Sequence, residues 1–365
     1  MLTRVVPRLA RIPRLPAVLT WPAPPQAYTR LVDPLASGDG FRARVEDVVR
    51  ETPRAVTLVL RPGDGWPPHR PGQWVALGVE IDGVRHTRCY SLTSVPGRPD
   101  GCITVTVQAV PDGIVSNHVG TRLAVGDLVH LAAPDGSFVL PAVRPVPLLF
   151  ITGGSGITPV MGMLRSLAAA RAVGDAVLVH HAPADSDVIF AADLQDLARR
   201  FPRFGLDVTL TGPGAPPPDA ALTAARLDRL CPNWRRREAW VCGPAPLLDA
   251  AETLWAGPDC TGRLHVERFS AARSAPAPSG SGGHVTFGTS RCTVDSDGSE
   301  TLLDLAESAG LTPTSGCRMG VCRRCVTPLR SGTVRDLRDG RTEPEPGTHV
   351  QICVSAAQGD VELDL

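Results

Sequence analysis

Four cysteines give the first chemical signal. Cys317, Cys322 and Cys325 stand as C-x4-C-x2-C in "SGCRMGVCRRC", and Cys353 follows in "QICVS". Thiolates at this spacing, with the fourth far along the chain, hold a 2Fe-2S cluster. A zinc site more often shows two C-x-x-C pairs or mixed Cys/His sets, and only one pair here is C-x-x-C. Gly316 and Gly320 permit a tight loop whose backbone N–H groups point at sulfides. Cys89, Cys102, Cys231, Cys260 and Cys292 form no comparable cluster and read as structural.

Three further motifs lie upstream. In "RCYS" a strand would project Arg88 and Tyr90 from one face. An Arg beside a Tyr pairs with a phosphate while the ring stacks on a flat heterocycle. The bland alternative is an exposed Arg and a half-buried Tyr. "GIVSNHV" sets Gly113 and Ser116 at a helix N-terminus, where free N–H groups bind a pyrophosphate or simply form a cap. "LLFITGGSGITP" runs an apolar strand into a glycine turn and a helix with Pro159 near its start, a second phosphate cradle. "VCGPAP" ends a strand at Cys242, where a small thiol lies against a nicotinamide ring or packs as an ordinary buried Cys.

The elements that must position these residues follow from the rhythm of the chain. From Phe41 to about Leu140, short β-patterned runs alternate with turn residues, which predicts a small antiparallel barrel or sandwich. After Pro145 strands alternate with helices: a helix from about Pro159, others near 190–200 and 220–230, and one after "EAWVCG". That pattern predicts a parallel sheet covered by helices. "SAARSAPAPSGSGG", residues 270–283, has little to bury and reads as a linker. The last 82 residues mix short strands with one helix, "TLLDLAESAG". The domains expected are an arm at 1–38, a barrel at 39–143, a parallel-sheet unit at 144–269, the linker at 270–283 and a small α+β unit at 284–365.

Composition narrows the class. The 365 residues are 43% hydrophobic and 20% charged, as in a globular protein. All 37 basic residues are Arg against 37 acids, so the net charge is zero and nothing global points to nucleic acid. Residues 284–365 hold 8 Arg against 12 acids, net −4, leaving +4 on residues 1–283, which suits an acidic module on a basic one. The N-terminal stretch has four Arg but is broken by Pro7, Pro13 and Pro16, so it reads as neither a secretory signal nor a span. The long uncharged run from Pro145 to Leu164 contains the glycine turn and reads as strand, loop and helix. The expectation is a cytoplasmic monomer, touching a membrane only through a partner or the basic arm.

Taken in order, "RCYSLTS", "GIVS", "TGGSGITP" and "VCGP" resemble the ferredoxin–NADP+ reductase superfamily, and "SGCRMGVCRRC…C" resembles a plant-type ferredoxin. The resemblance covers about residues 39–365. It implies a flavin-binding barrel, a nicotinamide-binding parallel-sheet domain and a β-grasp-like 2Fe-2S domain, as in single-chain reductases that feed oxygenases, desaturases or haem-thiolate monooxygenases. Arg88 would then bind flavin phosphate, Tyr90 stack on the ring and Ser91 bond its reactive edge. Cys89, Val107, Val110 and Gly113 would complete the flavin pocket, with Val115 and Ser116 on the pyrophosphate. Thr152, Gly153, Gly154, Gly156 and Thr158 would hold the nicotinamide dinucleotide, while Cys242, Gly243 and Pro244 shape the nicotinamide pocket. The resemblance further implies catalytic roles for Ser91, Cys242 and Glu267, a flavin-covering ring at Phe269, and Cys317, Cys322, Cys325 and Cys353 as cluster ligands. Phe269 runs into the linker instead of ending the chain, so a core Phe is its other reading.

The chemistry is coherent on its own terms. A hydride carries two electrons and a 2Fe-2S cluster accepts one, so something must hold the second electron, and a flavin can. FAD is preferred to FMN because "GIVS" offers a pyrophosphate site. Asp185 and Asp187, with no Arg beside them, favour the free ribose of NADH, whereas Arg199, Arg200 or Arg203 could reach a 2′-phosphate of NADPH. The linker would let the cluster unit swing between flavin and acceptor; shortening 270–283 should then slow acceptor reduction more than flavin reduction. The competing readings are a redox sensor, a terminal enzyme reducing a small molecule, and a zinc-stabilised binding module.

Overall fold

The structure, a computed structural model, describes residue 35 and residues 40–111, 113–141, 147–212, 222–269, 282–316, 318, 320, 323–337, 340–343 and 347–365. Most of the arm, the linker at 270–281, and both Cys317 and Cys322 lie outside the described residues.

The first unit is antiparallel. Its strands are β1 (Phe41–Thr52), β2 (Ala55–Pro62), β3 (Trp74–Ile81), β4 (Val84–Ser91), β5 (Ile103–Gln108) and β6 (Leu128–Leu131), in the order β4-β3-β6-β1-β2-β5. A bridge between Leu92, just past β4, and Val105 of β5 joins the two edges and closes a barrel. Alternating Val, Leu and Ala side chains fill its interior, among them Val45, Leu58, Val75, Leu77 and Val105, all at most 1% exposed. Helix α1 (Ile114–Thr121) plugs one end by burying Val115 and Val119 in this core.

The second unit is a parallel sheet of β7 (Leu148–Gly153), β8 (Ala176–Ala182), β9 (Phe204–Leu210), β10 (Glu238–Cys242) and β11 (Leu264–Glu267), in the order β11-β10-β7-β8-β9. Helices α2 (Ile157–Ala169), α3 (Ala191–Arg200), α4 (Ala224–Leu230) and α5 (Ala245–Trp255) connect the strands. Near-continuous apolar strands such as "LLFITG", buried throughout, are what a sheet covered on both faces requires. The order reverses between β7 and β10, and ligands of open α/β sheets sit at such a reversal, beyond the carboxyl ends. Helix α2 fastens this sheet to the barrel. Gly162 lies so close to the Leu92 carbonyl that a Cβ would stand 2.4 Å from it. Arg165 donates to Thr93 O at 3.0 Å and pairs with Asp193 at 2.7 Å.

The third unit has a five-stranded mixed sheet ordered β13-β12-β19-β14-β17 and a three-stranded sheet ordered β16-β15-β18. The strands are β12 (Gly283–Phe287), β13 (Cys292–Ser296), β14 (Val326–Ser331), β15 (Val334–Asp336), β16 (Thr342–Glu343), β17 (His349–Gln351), β18 (Ser355–Ala357) and β19 (Val361–Leu363). Helix α6 (Leu302–Ser308) packs Leu302, Leu303, Leu305 and Ala306 into its core, and the Thr301 hydroxyl caps it by accepting from Asp304 N at 3.0 Å. No helix among the described residues is long and apolar enough to cross a membrane.

Candidate functional site

A cavity of about 310 Å3 opens between the barrel, α1 and the start of α2. Arg88, Cys89, Tyr90 and Ser91 line it from the end of β4, Val110, Gly113, Val115 and Ser116 from α1 and its approach, Thr158 from α2, and Phe269 from beyond β11. Sequence reasoning missed Thr106, Gln108, Ile114 and Ser155, which also line it. Val107 falls between Thr106 and Gln108 on β5, so its side chain points the other way, into the barrel core at 1% exposure. Strand parity shows this once the inward face of β5 is known; the motif alone does not show it.

The cavity has the polarity a flavin nucleotide needs. Burial in the wall lowers the Arg88 pKa, and the cation Arg318 lowers it further, while Tyr90, Glu307 and Asp304 act the other way. Burial raises the Tyr90 phenol, so the ring stays neutral. Helix α1 starts at Gly113 with no side-chain cap, which leaves first-turn N–H groups for an anion. Ser116 Oγ accepts from Val110 N at 3.3 Å and bends the chain around that end.

Beside the cavity the glycine loop after β7 meets the loop after β10. A Cβ on Gly156 would stand 2.1 Å from the Cys242 carbonyl oxygen, and one on Gly153 would stand 2.8 Å from Pro244 Cδ. "TGGSG" and "CGP" are therefore small so that two backbones can touch at the reversal of strand order. Register then draws a polar row across the sheet: Glu267 lies opposite Cys242, Cys242 opposite Thr152, and Thr152 opposite His180. Partners in register share a face, with strands about 4.8 Å apart. Cys242, Thr152 and His180 are all 0% exposed. Thr152 Oγ1 and His180 Nδ1 are 2.8 Å apart, and burial lowers that imidazole to about 4, so it is neutral at pH 7.

Several buried polar atoms in and around this row, His180 Nε2 among them, lack hydrogen-bond partners among the described residues. Glu267 Oε2 and Ser91 Oγ are buried with no hydrogen bond among the described residues. Desolvation raises the Glu267 carboxyl to about 8, and burial together with Glu267 raises the Cys242 thiol. Burial thus favours the protonated forms of both the acid and the thiol. Phe269 packs against the apolar cluster that includes Cys242 and also lines the cavity.

The third unit holds two of the four candidate ligand cysteines among the described residues, Cys325 and Cys353. Cys325 and Cys353 are 2% and 6% exposed. Strands β14 and β17 pair Val326 with Gln351, and Ile352 N donates to Cys325 O at 3.3 Å, so 27 residues of separation collapse to neighbouring strand ends. Gln351 Nε2 donates to Gly320 O at 2.9 Å, and Arg318 binds Glu307 on α6 and lies 3.5 Å from Asp304. The loop is thereby pinned to the helix and to β17, and the buried thiols suit iron better than solvent.

A barrel with a cavity lined by Arg88 and Tyr90, a parallel sheet whose glycine loop borders it, and a cysteine-bearing α+β unit are the parts of a flavin- and nicotinamide-dependent electron-transfer protein. Comparison with known proteins agrees. "Oxidoreductase FAD-binding domain" matches residues 68–140, "Oxidoreductase NAD-binding domain" residues 150–253, and "2Fe-2S iron-sulfur cluster binding domain" residues 285–358. An NADPH oxidoreductase of Mycobacterium tuberculosis is 43% identical over 96% of this chain and 91% of its own length. The ferredoxin reductase component of a 3-ketosteroid-9-alpha-monooxygenase from Mycolicibacterium smegmatis is 34% identical over 80% of this chain and 86% of its own. The fold matches phthalate dioxygenase reductase with a TM-score of 0.64, at 23% identity over 89% of this chain and 98% of that one. The chain belongs to the ferredoxin–NADP+ reductase superfamily, in the branch fused to a C-terminal 2Fe-2S ferredoxin domain. It is an oxidoreductase that takes electrons from NAD(P)H through FAD to a 2Fe-2S cluster.

Proposed function

We propose that this chain is the reductase component of an oxygenase, desaturase or haem-thiolate monooxygenase system, acting as a cytoplasmic monomer divided at residues 38, 143, 269 and 283. One observation carries the reading. The chain that lines the flavin cavity with Arg88 and Tyr90 also ends in a domain whose buried Cys325 and Cys353 are drawn together by β14 and β17. A flavin reducing small molecules directly has no use for that domain. The monooxygenase component named among the relatives supports the same assignment.

A bound flavin would supply hydride acceptance and single-electron release, and the protein would supply placement. Arg88 and the first turn of α1, with Gly113, Val115 and Ser116, would hold its phosphates, and Tyr90, Cys89 and Val110 would hold its ring system. Val107 supports them from the core. Thr152, Gly153, Gly154, Gly156 and Thr158 receive the dinucleotide, and Cys242, Gly243 and Pro244 form the floor for the nicotinamide. Ser91, Cys242 and Glu267 surround the hydride path; buried Glu267 keeps its proton there, and Phe269 closes the cavity from the linker side. Cys317, Cys322, Cys325 and Cys353 ligate iron.

Arg226 bears on the coenzyme. It comes from α4 to bond Asp207 at 3.0 Å and Thr209 at 2.6 Å, and Thr209 lies opposite His181 at the end of β8. Arg199 and Arg200 instead pair with Asp196 on the exposed face of α3. Arg226 is ion-paired as they are, but it is partly buried at the carboxyl end of β8 and β9, where a 2′-phosphate would compete with Asp207 for it, and on that ground the coenzyme is read as NADPH. The test is stopped-flow reduction of the holoprotein by NADPH, with cytochrome c present in one arm. Flavin reduction followed by cluster reduction and turnover of the cytochrome supports the proposal. Flavin reduction that never reaches the cluster rejects it.

A further inference from the structure

Arg323 and Arg324 sit inside the cysteine loop, between Cys322 and Cys325. Both are exposed, while the adjoining Cys325 is buried. Neither guanidinium has a hydrogen bond or an ion pair among the described residues, in contrast to Arg318 of the same loop, which Glu307 and Asp304 neutralise. Arg323 also adopts a left-handed backbone, φ 54°, which glycine takes freely and a side chain resists. A strained residue kept beside a reactive centre points to a task for its side chain. These two charges stand on a unit whose net charge is −4, so they form a local positive rim on an acidic surface.

The other side of the loop is already engaged. The charges felt at Arg88, in the wall of the flavin cavity, include Arg318, Glu307 and Asp304. The face made by α6 and Arg318 therefore lies within electrostatic reach of Arg88 in the cavity wall, and the rim of Arg323 and Arg324 is open to solvent. We propose that Arg323 and Arg324 are the docking point for an acidic surface on the one-electron acceptor protein, so that electrons enter the cluster from the Arg318 side and leave across the Arg323–Arg324 rim. The proposal rests on the assignment of the four cysteines as cluster ligands. Arg324 adjoins Cys325 in the chain and Arg323 stands one residue further, with consecutive Cα atoms about 3.8 Å apart, so a partner held by this pair docks beside the buried Cys325. In each transfer one electron leaves the reduced cluster and the acceptor gains one; no proton or further reactant is needed.

The full-length holoprotein with its FAD and iron tests this with two haem proteins of opposite charge, acidic cytochrome b5 and basic cytochrome c. The double variant R323Q/R324Q, the conservative R323K/R324K and wild type are compared for binding of cytochrome b5 by calorimetry at low salt. Reduction of both cytochromes, flavin reduction by NADPH and the visible cluster spectrum are measured alongside. We expect R323Q/R324Q to bind cytochrome b5 about tenfold more weakly, with a flatter salt dependence, and R323K/R324K to restore both. Cytochrome c reduction should hold or rise, and the cluster spectrum and flavin reduction should stay as in wild type. Unchanged cytochrome b5 binding, or equal losses with both cytochromes, overturns the proposal. Slowed transfer from flavin to cluster also overturns it, because the pair would then serve the internal contact. Wild-type protein without iron would defeat the cysteine assignment itself, and the docking point with it.

Discussion

Glu267 should make the stability of the nicotinamide-binding unit depend on pH in an unusual direction. Its side chain is half-buried, Oε2 is enclosed without a partner, and desolvation raises the carboxyl from 4.5 to about 8. Between those values the folded chain keeps the proton while the unfolded chain has lost it. Folding stability then falls as pH rises from about 4.5 to about 8 and is level above that. At 1.36 kcal/mol per pH unit, the interval corresponds to as much as about 5 kcal/mol. Glu267→Gln keeps the shape of the protonated acid and cannot ionise. Its stability relative to wild type should therefore climb across the same interval, by roughly 2–5 kcal/mol once water penetration is allowed for. Urea unfolding at pH 5 and pH 9, followed by the fluorescence of Trp234, Trp240 and Trp255 in that unit, reads the change. Parallel pH curves for the two proteins would refute the reasoning, since they would mean that the carboxylate is solvated or paired in the folded chain.

Other consequences follow from the same geometry. Gly156→Ala drives a methyl into the Cys242 carbonyl, and thermal unfolding should show a loss of ~1–3 kcal/mol together with slower flavin reduction. Cys353→Ser should abolish the cluster spectrum and lower cytochrome c reduction at least roughly tenfold, while NADPH-driven ferricyanide reduction by the flavin persists. Arg226→Gln should raise KM for NADPH about tenfold and leave that for NADH nearly unchanged in steady-state assays.

The chain announced some of this openly and hid the rest for identifiable reasons. Apolar runs such as "LLFITG" and "AVLVHH" mark buried parallel strands because both faces are covered, and the change of rhythm near Pro145 marks the passage from barrel to parallel sheet. The glycines of "TGGSGITP" could be noticed, but the reason for Gly156 needs the Cys242 carbonyl, which arrives from a strand more than eighty residues later. Thr106 and Gln108 escaped notice because β5 shows its polar face only once the barrel is closed. The sequence around Asp185 and Asp187 contains no Arg and so favours NADH, whereas the fold sets Arg54 3.4 Å from Asp187. Arg226 enters through tertiary packing of α4 on β9, which no local pattern reports. The cysteine spacing was legible because a metal cluster fixes its ligands along the sequence, while the arginines between them gained meaning only from exposure and backbone conformation.

The central claim is that electrons pass from a nicotinamide through one flavin to one cluster on this chain. An anaerobic titration of the purified protein with NADPH and then NADH, followed by visible and electron paramagnetic resonance spectroscopy, tests it most directly. The account predicts uptake of two electrons by the flavin and one by the cluster, with the signal of a reduced 2Fe-2S centre appearing as the flavin bleaches. A protein that bleaches its flavin yet never develops that signal, or that carries zinc in place of iron, would contradict it.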